Sequence, residues 1–296
     1  MKKKVIIIDN SNLSYSGEDI NGVTLRGTET SLILLAEQFI RVGIEVDFCN
    51  NILETKVVNG VNYFNKKKIV NTYLYDLAIA VSDANQFNNV NALKKAVFSN
   101  SNQSFEKFLR KKQLLPFLRH KPVLVTLCNY QYYKRSFLTS FHGKKMIPIT
   151  VDPKFLNIDI DLNYLPKKKV VYNIRSNRNL DWLLDIWCKK IFPFNKDFEL
   201  YITPNIINYS ESLRAQNIFL RKIVTRSEMI EELKEYRALT YLGHKSDIFT
   251  LTCEESVKLC LPLITFGIGS IRDRVQHNET GFLAKNDQEF ADFTIK

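Results

Sequence analysis

The chain has no apolar stretch approaching the roughly 18 to 20 residues that a helix needs to cross a bilayer. Its five cysteines form no C-x-x-C pair and lie mostly within apolar segments, which favours reduced, buried thiols. The four histidines show no mutual spacing typical of a metal site. Lys2, Lys3 and Lys4 lead directly into an apolar run, which predicts a first strand rather than a signal peptide. We therefore expect a cytoplasmic protein that holds no metal ion.

Acidic residues are in the minority, and the imbalance is confined to one half of the chain. The formal net charge is +11. Residues 1–152 hold 21 Lys and Arg against 12 Asp and Glu, whereas residues 153–296 hold 21 against 19. An asymmetry of this kind predicts a polyanionic partner for the first half, with anionic lipid and nucleic acid as the two candidates.

The length of 296 residues favours two compact domains. Short β-branched runs alternate with helical patterns, which is typical of an α/β fold with parallel sheets. Beyond residue 152 the sequence becomes acidic and irregular, so we place the domain boundary there. In the first half we predict strands at 5–9, 45–49, 77–81, 96–98, 123–127 and 146–149, and a helix at 29–42. In the second half we predict strands at 170–174, 199–202 and 263–266, and helices at 180–190, 227–237 and 254–260.

The pattern that carries most chemistry begins at Asp247. Asp247 and Glu255 are eight positions apart and flank a loop that enters a predicted helix. The unpaired amides of a helix N-terminus favour a phosphate, and a carboxylate beside them can bind a ribose diol. Taken alone, Glu254 and Glu255 are explained more simply as acidic residues at the start of a helix.

The longer run, residues 247–281, resembles the nucleotide-sugar site of family 4 glycosyltransferases. That signature is an acidic residue, seven others, a Glu, and a Pro seven places further on. Asp247, Glu255 and Pro262 occupy those positions, and Asn278 to Gly281 match the turn that closes the domain. The resemblance implies the GT-B fold, in which two Rossmann-like α/β domains face each other across a cleft. Residues 1–152 are then the acceptor domain and residues 153–296 the donor domain.

The same resemblance implies a function and a set of roles. It implies transfer of a hexose-type sugar, with retention, from a nucleotide-sugar co-substrate to an acceptor hydroxyl, in cell-surface glycan or glycolipid assembly. No metal ion or cofactor takes part. Asp247 then contacts hydroxyls of the donor sugar, the backbone around Thr250 and Leu251 contacts the sugar and the diphosphate, and Glu255 binds the ribose. Thr250 and Cys260 stand where the family commonly has glycine.

A second pattern is the polar loop after residues 170–174, which carries Arg175 and Arg178. The planar fork of arginine suits a diphosphate that gains negative charge as the glycosidic bond breaks. In family 4 this loop carries an Arg and a Lys on the diphosphate, and Arg178 takes the place of the lysine. Two surface arginines at a strand end are the alternative explanation.

Two segments of the first half complete the predicted site. Gly27 and Thr28 resemble the Gly-Gly-x-Glu segment with which the family closes over the donor and faces the acceptor, although Thr28 alone is also explained as a helix cap. Asn100 and Asn102 follow a predicted strand at the place where family members often have a cleft histidine.

Residues 108–121 interleave five Lys and Arg with Phe and Leu. This composition suits the anionic inner face of a membrane, and a solvated basic face over core-facing leucines is the alternative. The basic first half leaves open a second enzymatic hypothesis, a glycosyltransferase that acts on a modified base in DNA. A third hypothesis is a catalytically weakened nucleotide-sugar-binding protein, because several of the family's glycines are replaced.

Overall fold

The structure, a computed structural model, describes residues 2–22, 25–70, 72–102, 104–161, 163–204 and 209–296. The chain divides into two compact units, Met1–Thr150 and Val151–Lys296. Each unit is built on its own sheet of parallel strands, with one antiparallel pair in the first. The predicted α/β fold with two Rossmann-like domains is therefore confirmed.

The first unit contains an eight-stranded sheet in the order β3-β4-β2-β1-β5-β6-β7-β8. Its central strand is buried, with Ile6, Ile7 and Ile8 at 0% exposure, because apolar runs flanked on both sides by parallel strands belong inside a sheet. The strands are β1 (Lys4–Ile8), β2 (Glu45–Asn50), β3 (Lys56–Val58), β4 (Val61–Asn65), β5 (Leu74–Val81), β6 (Asn91–Phe98), β7 (Val123–Thr126) and β8 (Lys144–Met146).

The strand predicted at residues 146–149 is wrong in position, since β8 ends at Met146. Pro148 lies in the middle of the predicted run and has no amide hydrogen to donate to a neighbouring strand. The apolar composition of the run therefore gave a misleading signal.

The helices of this unit are α1 (Gly27–Arg41), α2 (Phe105–Arg110), α3 (Leu114–His120) and α4 (Asn129–Lys134), with 3₁₀ turns at Gly17–Asn21, Lys66–Lys68, Ala84–Asn89 and Phe137–Thr139. Helix α1 ends where Gly43 adopts a φ of +80°. There the Gly43 amide donates to the Ile40 carbonyl and the Ile44 amide to the Phe39 carbonyl, both at 2.9 Å. This satisfies carbonyls that the end of a helix would leave unpaired.

The second unit contains a six-stranded sheet in the order β11-β10-β9-β12-β13-β14, and every neighbouring pair is parallel. The strands are β9 (Lys169–Tyr172), β10 (Glu199–Ile202), β11 (Ile218–Leu220), β12 (Ala238–Thr240), β13 (Leu263–Thr265) and β14 (Gly281–Leu283). The helices are α5 (Leu180–Ile186), α6 (Glu211–Arg214), α7 (Arg226–Lys234), α8 (Leu251–Lys258) and α9 (Asp287–Ile295), and a π turn at Trp187–Ile191 continues α5. Two 3₁₀ turns lie at Pro153–Phe155 and Gly269–Arg274.

The loops that follow β12 and β13 touch backbone to backbone. A β-carbon added to Gly243 would lie 2.4 Å from the Ile268 carbonyl oxygen, and one added to Gly269 would lie 2.2 Å from the His244 carbonyl oxygen. Both glycines also have positive φ angles, +93° and +82°. Since only glycine tolerates this approach and this conformation together, these two residues fix the shape of the loop that precedes α8.

No helix within the described part of the chain is both long enough and apolar enough to span a membrane.

Candidate functional site

Most of the predicted donor residues lie at one edge of the second sheet. β9 and β12 are neighbours, so the loops at their carboxyl ends, residues 173–179 and 241–250, lie side by side. Helix α8 begins where the second loop ends. In open parallel sheets the crevice at the carboxyl ends of the strands is the usual place for a ligand.

Asp247 is held by groups from both loops. Arg178 Nε lies 3.3 Å from its Oδ1, and the Tyr241 hydroxyl donates a hydrogen bond to its Oδ2. Burial raises the pKa of the Asp247 carboxyl, while the Tyr241 hydrogen bond and the Arg178 charge act in the opposite direction. The structure thus brings together two of the predicted site residues, Asp247 and Arg178, although they are far apart in sequence.

His244 joins this pair and was not predicted from the sequence. Its Nδ1 lies 3.1 Å from Arg178 Nη1 and 3.1 Å from the Ser246 amide nitrogen. A second link between the loops is the Asn179 side-chain amide, which donates to the Gly243 carbonyl at 2.6 Å. His244 is therefore part of a hydrogen-bonded network that fixes the orientation of the Arg178 guanidinium.

Arg175 has a different environment from Arg178. Its side chain is exposed, and within the described ranges its guanidinium forms no ion pair or hydrogen bond. Its backbone is nevertheless fixed, because the Tyr172 hydroxyl lies 2.8 Å from the carbonyl oxygens of both Arg175 and Arg178. Of the two arginines, Arg175 is the one whose guanidinium is not held in an ion pair, although its charge, like that of Arg178, acts to lower the pKa of Asp247.

The N-terminus of α8 has no side-chain cap. Thr250 precedes the helix without accepting a hydrogen bond from it, and Leu251 is the first helical residue. Thr250 Oγ1 is buried and has no hydrogen-bond partner among the residues that the structure describes. Uncapped amides at the start of a helix carry partial positive charge and can bind an anion or a hydroxyl oxygen.

Glu255 lies one turn into α8 and is buried, with 3% of its surface exposed. Arg226, at the start of α7, forms an ion pair with Glu255 Oε1 and a second with Asp152 Oδ2 at 3.2 Å. Burial raises the pKa of the Glu255 carboxyl, and the Arg226 charge opposes this shift. Glu255 Oε2 has no hydrogen-bond partner within the described residues.

Sequence reasoning missed Arg226, but a signal for its position exists. Thr225 and Glu228 form a capping box, in which each side chain bonds the backbone of the other. This pattern is readable as Thr-x-x-Glu in the sequence and places Arg226 at the first helical position. Its charge partners, however, come from residues 152 and 255 and are not local.

The predicted residues of the first half belong to the first unit. Gly27 and Thr28 are the first two residues of α1, and Thr28 is not its cap because Arg26 occupies that position. Asn100 accepts a hydrogen bond from the Ser82 hydroxyl. Val23 and Thr24, shortly before Gly27 in the sequence, lie outside the described residues.

The sequence 159–161, Asp-Ile-Asp, has the Asp-x-Asp spacing of metal-dependent sugar transferases. These residues precede β9 and line a cavity of about 800 Å³ together with Leu261 and Pro262, which precede β13. They therefore lie at the amino ends of the strands, away from Asp247. Within the described ranges no group of three or more His, Cys, Asp or Glu residues has the geometry to hold a metal ion.

No protein-family model matches the chain, and no curated protein matches it. Several solved structures, however, match the chain. TarM from S. aureus has a TM-score of 0.72 at 11% identity, over 100% of this chain and 91% of TarM. Sucrose-phosphate synthase from Thermosynechococcus elongatus has a TM-score of 0.69 at 11% identity, over 99% of this chain and 88% of that one.

A third solved structure is HepE from Anabaena in complex with UDP, with a TM-score of 0.67 at 14% identity, over 100% of this chain and 89% of HepE. HepE has also been solved with UDP-glucose. These proteins share the GT-B fold, and at this level of identity the likeness establishes the fold of the present chain. The chain has the GT-B fold.

Proposed function

We propose that the protein is a glycosyltransferase that moves a hexose from a nucleotide sugar to an acceptor hydroxyl with retention, and that its second unit binds the donor. The observation that carries the proposal is the Arg178–Asp247 ion pair beside the uncapped start of α8. A carboxylate fixed in this way is suited to accept hydrogen bonds from sugar hydroxyls. The GT-B fold, which UDP-binding HepE also has, supports the same function.

The diphosphate of the donor is assigned to the positive groups that the protein leaves free. Among the described residues, two such groups are the Arg175 guanidinium and the amides at the start of α8, near Thr250 and Leu251. Both favour an anion, and both stabilise the charge that accumulates on the leaving group. Because they supply a positive field without a metal ion, we expect transfer to continue in excess chelator.

The ribose is assigned to Glu255 Oε2, the carboxylate oxygen that Arg226 does not contact. Arg226 keeps Glu255 in place and compensates its charge, so that the carboxylate can stay ionised at a buried position. Arg226 is therefore a positioning residue for the ribose site.

In the proposed reaction the bond from the anomeric carbon to the diphosphate oxygen breaks, and a bond from that carbon to the acceptor oxygen forms on the same face. The departing diphosphate oxygen takes the proton of the acceptor hydroxyl. No nucleophile from the protein is required. Asp247, with Arg178 beside it, orients the sugar, and Arg175 and the α8 amides stabilise the leaving group.

The test begins with calorimetric titration of the protein with nucleotide sugars and nucleoside diphosphates, followed by mass spectrometry of the products. Asp247→Asn should weaken binding of the nucleotide sugar about tenfold and leave binding of the nucleoside diphosphate nearly unchanged, because only the sugar meets Asp247. Lys234→Ala, which removes a partly exposed charge from the last residue of α7, is the control. A wild-type protein that binds no nucleotide sugar, or an Asp247→Asn variant that transfers sugar normally, would refute the proposal.

The acceptor is assigned to a glycolipid or glycan at an anionic membrane surface. In the segment 108–121, Leu109, Leu115 and Leu118 are 43%, 76% and 50% exposed, while Phe108 and Phe117 are buried. The basic residues among them, Arg110, Lys111, Lys112, Arg119 and Lys121, are exposed as well. Exposed leucines beside exposed charges suit a lipid headgroup region, into which apolar side chains can insert. Binding to a nucleic-acid backbone depends on the charges and gains little from the leucines.

Cosedimentation with vesicles tests this assignment. Vesicles rich in anionic lipid should bind the wild type, and changing residues 110–112 to Ser should abolish binding, at about 1 kcal/mol per basic residue near the surface. Changing Lys67 and Lys68 to Ser removes two exposed charges from another place in the unit and should have little effect. Tight, steeply salt-dependent binding of duplex DNA without vesicle binding would instead support the DNA-modifying alternative.

A further inference from the structure

The imidazole of His244 has an unusual pair of neighbours at one ring nitrogen. Nδ1 lies 3.1 Å from Arg178 Nη1 and 3.1 Å from the Ser246 amide nitrogen. An arginine guanidinium and a backbone amide are both obligatory donors, because neither has a lone pair that can accept. Nδ1 must therefore be the acceptor and cannot carry a proton while both contacts are made.

This assignment also determines which ring nitrogen carries the proton. A neutral imidazole has one protonated nitrogen, so the proton lies on Nε2. Adding a second proton, at Nδ1, would place it against the Arg178 guanidinium and break both hydrogen bonds. In this arrangement Nε2 of His244 is accordingly the ring nitrogen that can donate a hydrogen bond.

The donor at Nε2 has no partner within the part of the protein that the structure describes. The ring is half-buried, and its backbone is held in place, since the His244 carbonyl accepts from the Asp247 amide at 3.0 Å and lies against Gly269. Arg178, which it contacts, is bound to Asp247. A rigid donor without a protein partner, beside a carboxylate and the uncapped start of α8, is suited to a ligand oxygen.

We propose that His244 binds the diphosphate of the nucleotide-sugar donor through Nε2, while its Nδ1 holds Arg178 in the orientation that Asp247 requires. The inference rests on the proposed function and adds to it a residue outside the family signature. An N–H donor there can strengthen its bond as the leaving group gains charge, without competing with Asp247 for Arg178.

Two substitutions separate the two ring nitrogens. His244→Asn keeps an acceptor near the position of Nδ1, since an Asn side chain readily accepts from the amide two residues on, and it removes the donor at Nε2. His244→Gln reaches the position of Nε2 with an amide donor and loses the acceptor near Nδ1. Tryptophan fluorescence checks that both variants fold, because both tryptophans, Trp182 and Trp187, lie in the second unit.

Calorimetry with UDP, and with GDP, ADP and CDP if UDP does not bind, gives the readout. His244→Asn should weaken binding of the nucleoside diphosphate about tenfold or more, which is the usual effect of removing a hydrogen bond to a charged group. His244→Gln should stay within about threefold of wild type, and the matching nucleoside should bind all three proteins alike. If His244→Gln loses affinity for the nucleoside diphosphate and His244→Asn does not, or if both variants lose it equally, His244 does not act through Nε2 and the proposal fails.

Nitrogen-15 NMR of the imidazole provides a test that needs no nucleotide. The two-bond proton–nitrogen correlations distinguish a ring protonated at Nε2 from one protonated at Nδ1. A proton on Nδ1 of His244 would overturn the inference even if donors bind. Failure of wild type to bind any nucleoside diphosphate, with Nε2 protonated, would instead count against the proposed function.

Discussion

Replacing Arg226 by Met tests the most deeply buried charge cluster of the second unit. The guanidinium compensates two carboxylates, Glu255 and Asp152, whose exposed fractions are 3% and 4%. Met keeps an unbranched apolar side chain about as long as the stem of Arg226. It removes the guanidinium, with its charge, its hydrogen bonds and its contact with Phe155, whose ring centre is 5.5 Å from the guanidinium carbon. Breaking a buried pair by removal of one partner costs about 3–5 kcal/mol, because the remaining charge is buried without compensation.

Urea unfolding followed by tryptophan fluorescence measures this cost. Trp182 and Trp187 both lie in the second unit, so the signal reports its unfolding rather than that of the whole chain. With a urea dependence of about 2 kcal/mol per molar, Arg226→Met should lower the midpoint by roughly 1.5–2.5 M. Lys234→Met, which breaks an exposed pair with Glu231 on the same helix, should lower it by less than about 0.5 M.

The pH dependence of the same variant gives a second check. Burial raises the pKa of Glu255, and without Arg226 the pKa should rise further. The folded state then binds the proton more tightly than the unfolded chain, so the stability lost in Arg226→Met should be partly recovered as pH falls through the raised pKa. If Arg226→Met lowers the free energy of unfolding by less than about 1 kcal/mol, and by the same amount at every pH, then Arg226 does not compensate a buried pair of carboxylates.

Two further predictions concern the loops that position the site and the first unit. Gly269→Ala should destabilise the second unit by about 1–3 kcal/mol and weaken donor binding, because its β-carbon would lie 2.2 Å from the His244 carbonyl oxygen. Chemical unfolding measures the loss of stability, and calorimetry measures the loss of affinity. Wild-type values in both measurements would show that the loop relaxes freely around the added carbon. Burial, and then the nearby Asp9 charge, raise the pKa of Glu29. A raised pKa means that stability falls as pH rises through it, so Glu29→Gln should stabilise the protein more at pH 7 than at pH 4 in thermal unfolding, and a gain independent of pH would contradict this.

The fold could be predicted wherever apolar runs were long. β1 and β5 coincide with such runs, and α1 follows from its apolar face and the Gly43 stop. The three-residue strands β11, β12 and β14 are too short to show a period, and they depend on neighbours that the sequence does not identify.

The hairpin of β3 and β4 is absent from the predicted strands, although the sequence contains a turn signal for it. Asn59 and Gly60 join the two strands, and their φ angles are +50° and +83°. An Asn-Gly pair between apolar residues is the usual sequence of a two-residue hairpin turn, because both positions need positive φ. This part of the sheet was readable from the sequence.

The sequence singled out candidate site residues but not the contacts between them. Spacing and resemblance predict Asp247, Glu255 and Arg178 as site residues, but the partners of these side chains depend on which strands are neighbours. Arg178 meets Asp247 because β9 lies beside β12. Glu255 faces Arg226 because the fold brings the start of α7 beside α8, which no local pattern encodes.

These contacts change how the charge of the site is distributed. Arg178 and Asp247 compensate each other, and Arg226 is shared between Glu255 and Asp152. Arg175 and the partial charge at the start of α8 are therefore positive groups at the carboxyl edge that neither of these ion-paired clusters contains. A diphosphate bound by Arg178 would have to compete with Asp247 for the guanidinium, at the cost of leaving a half-buried carboxylate unpaired. It follows that, in the proposed enzyme, Asp247 and Arg178 serve the sugar as one unit, and the diphosphate depends on the groups around them.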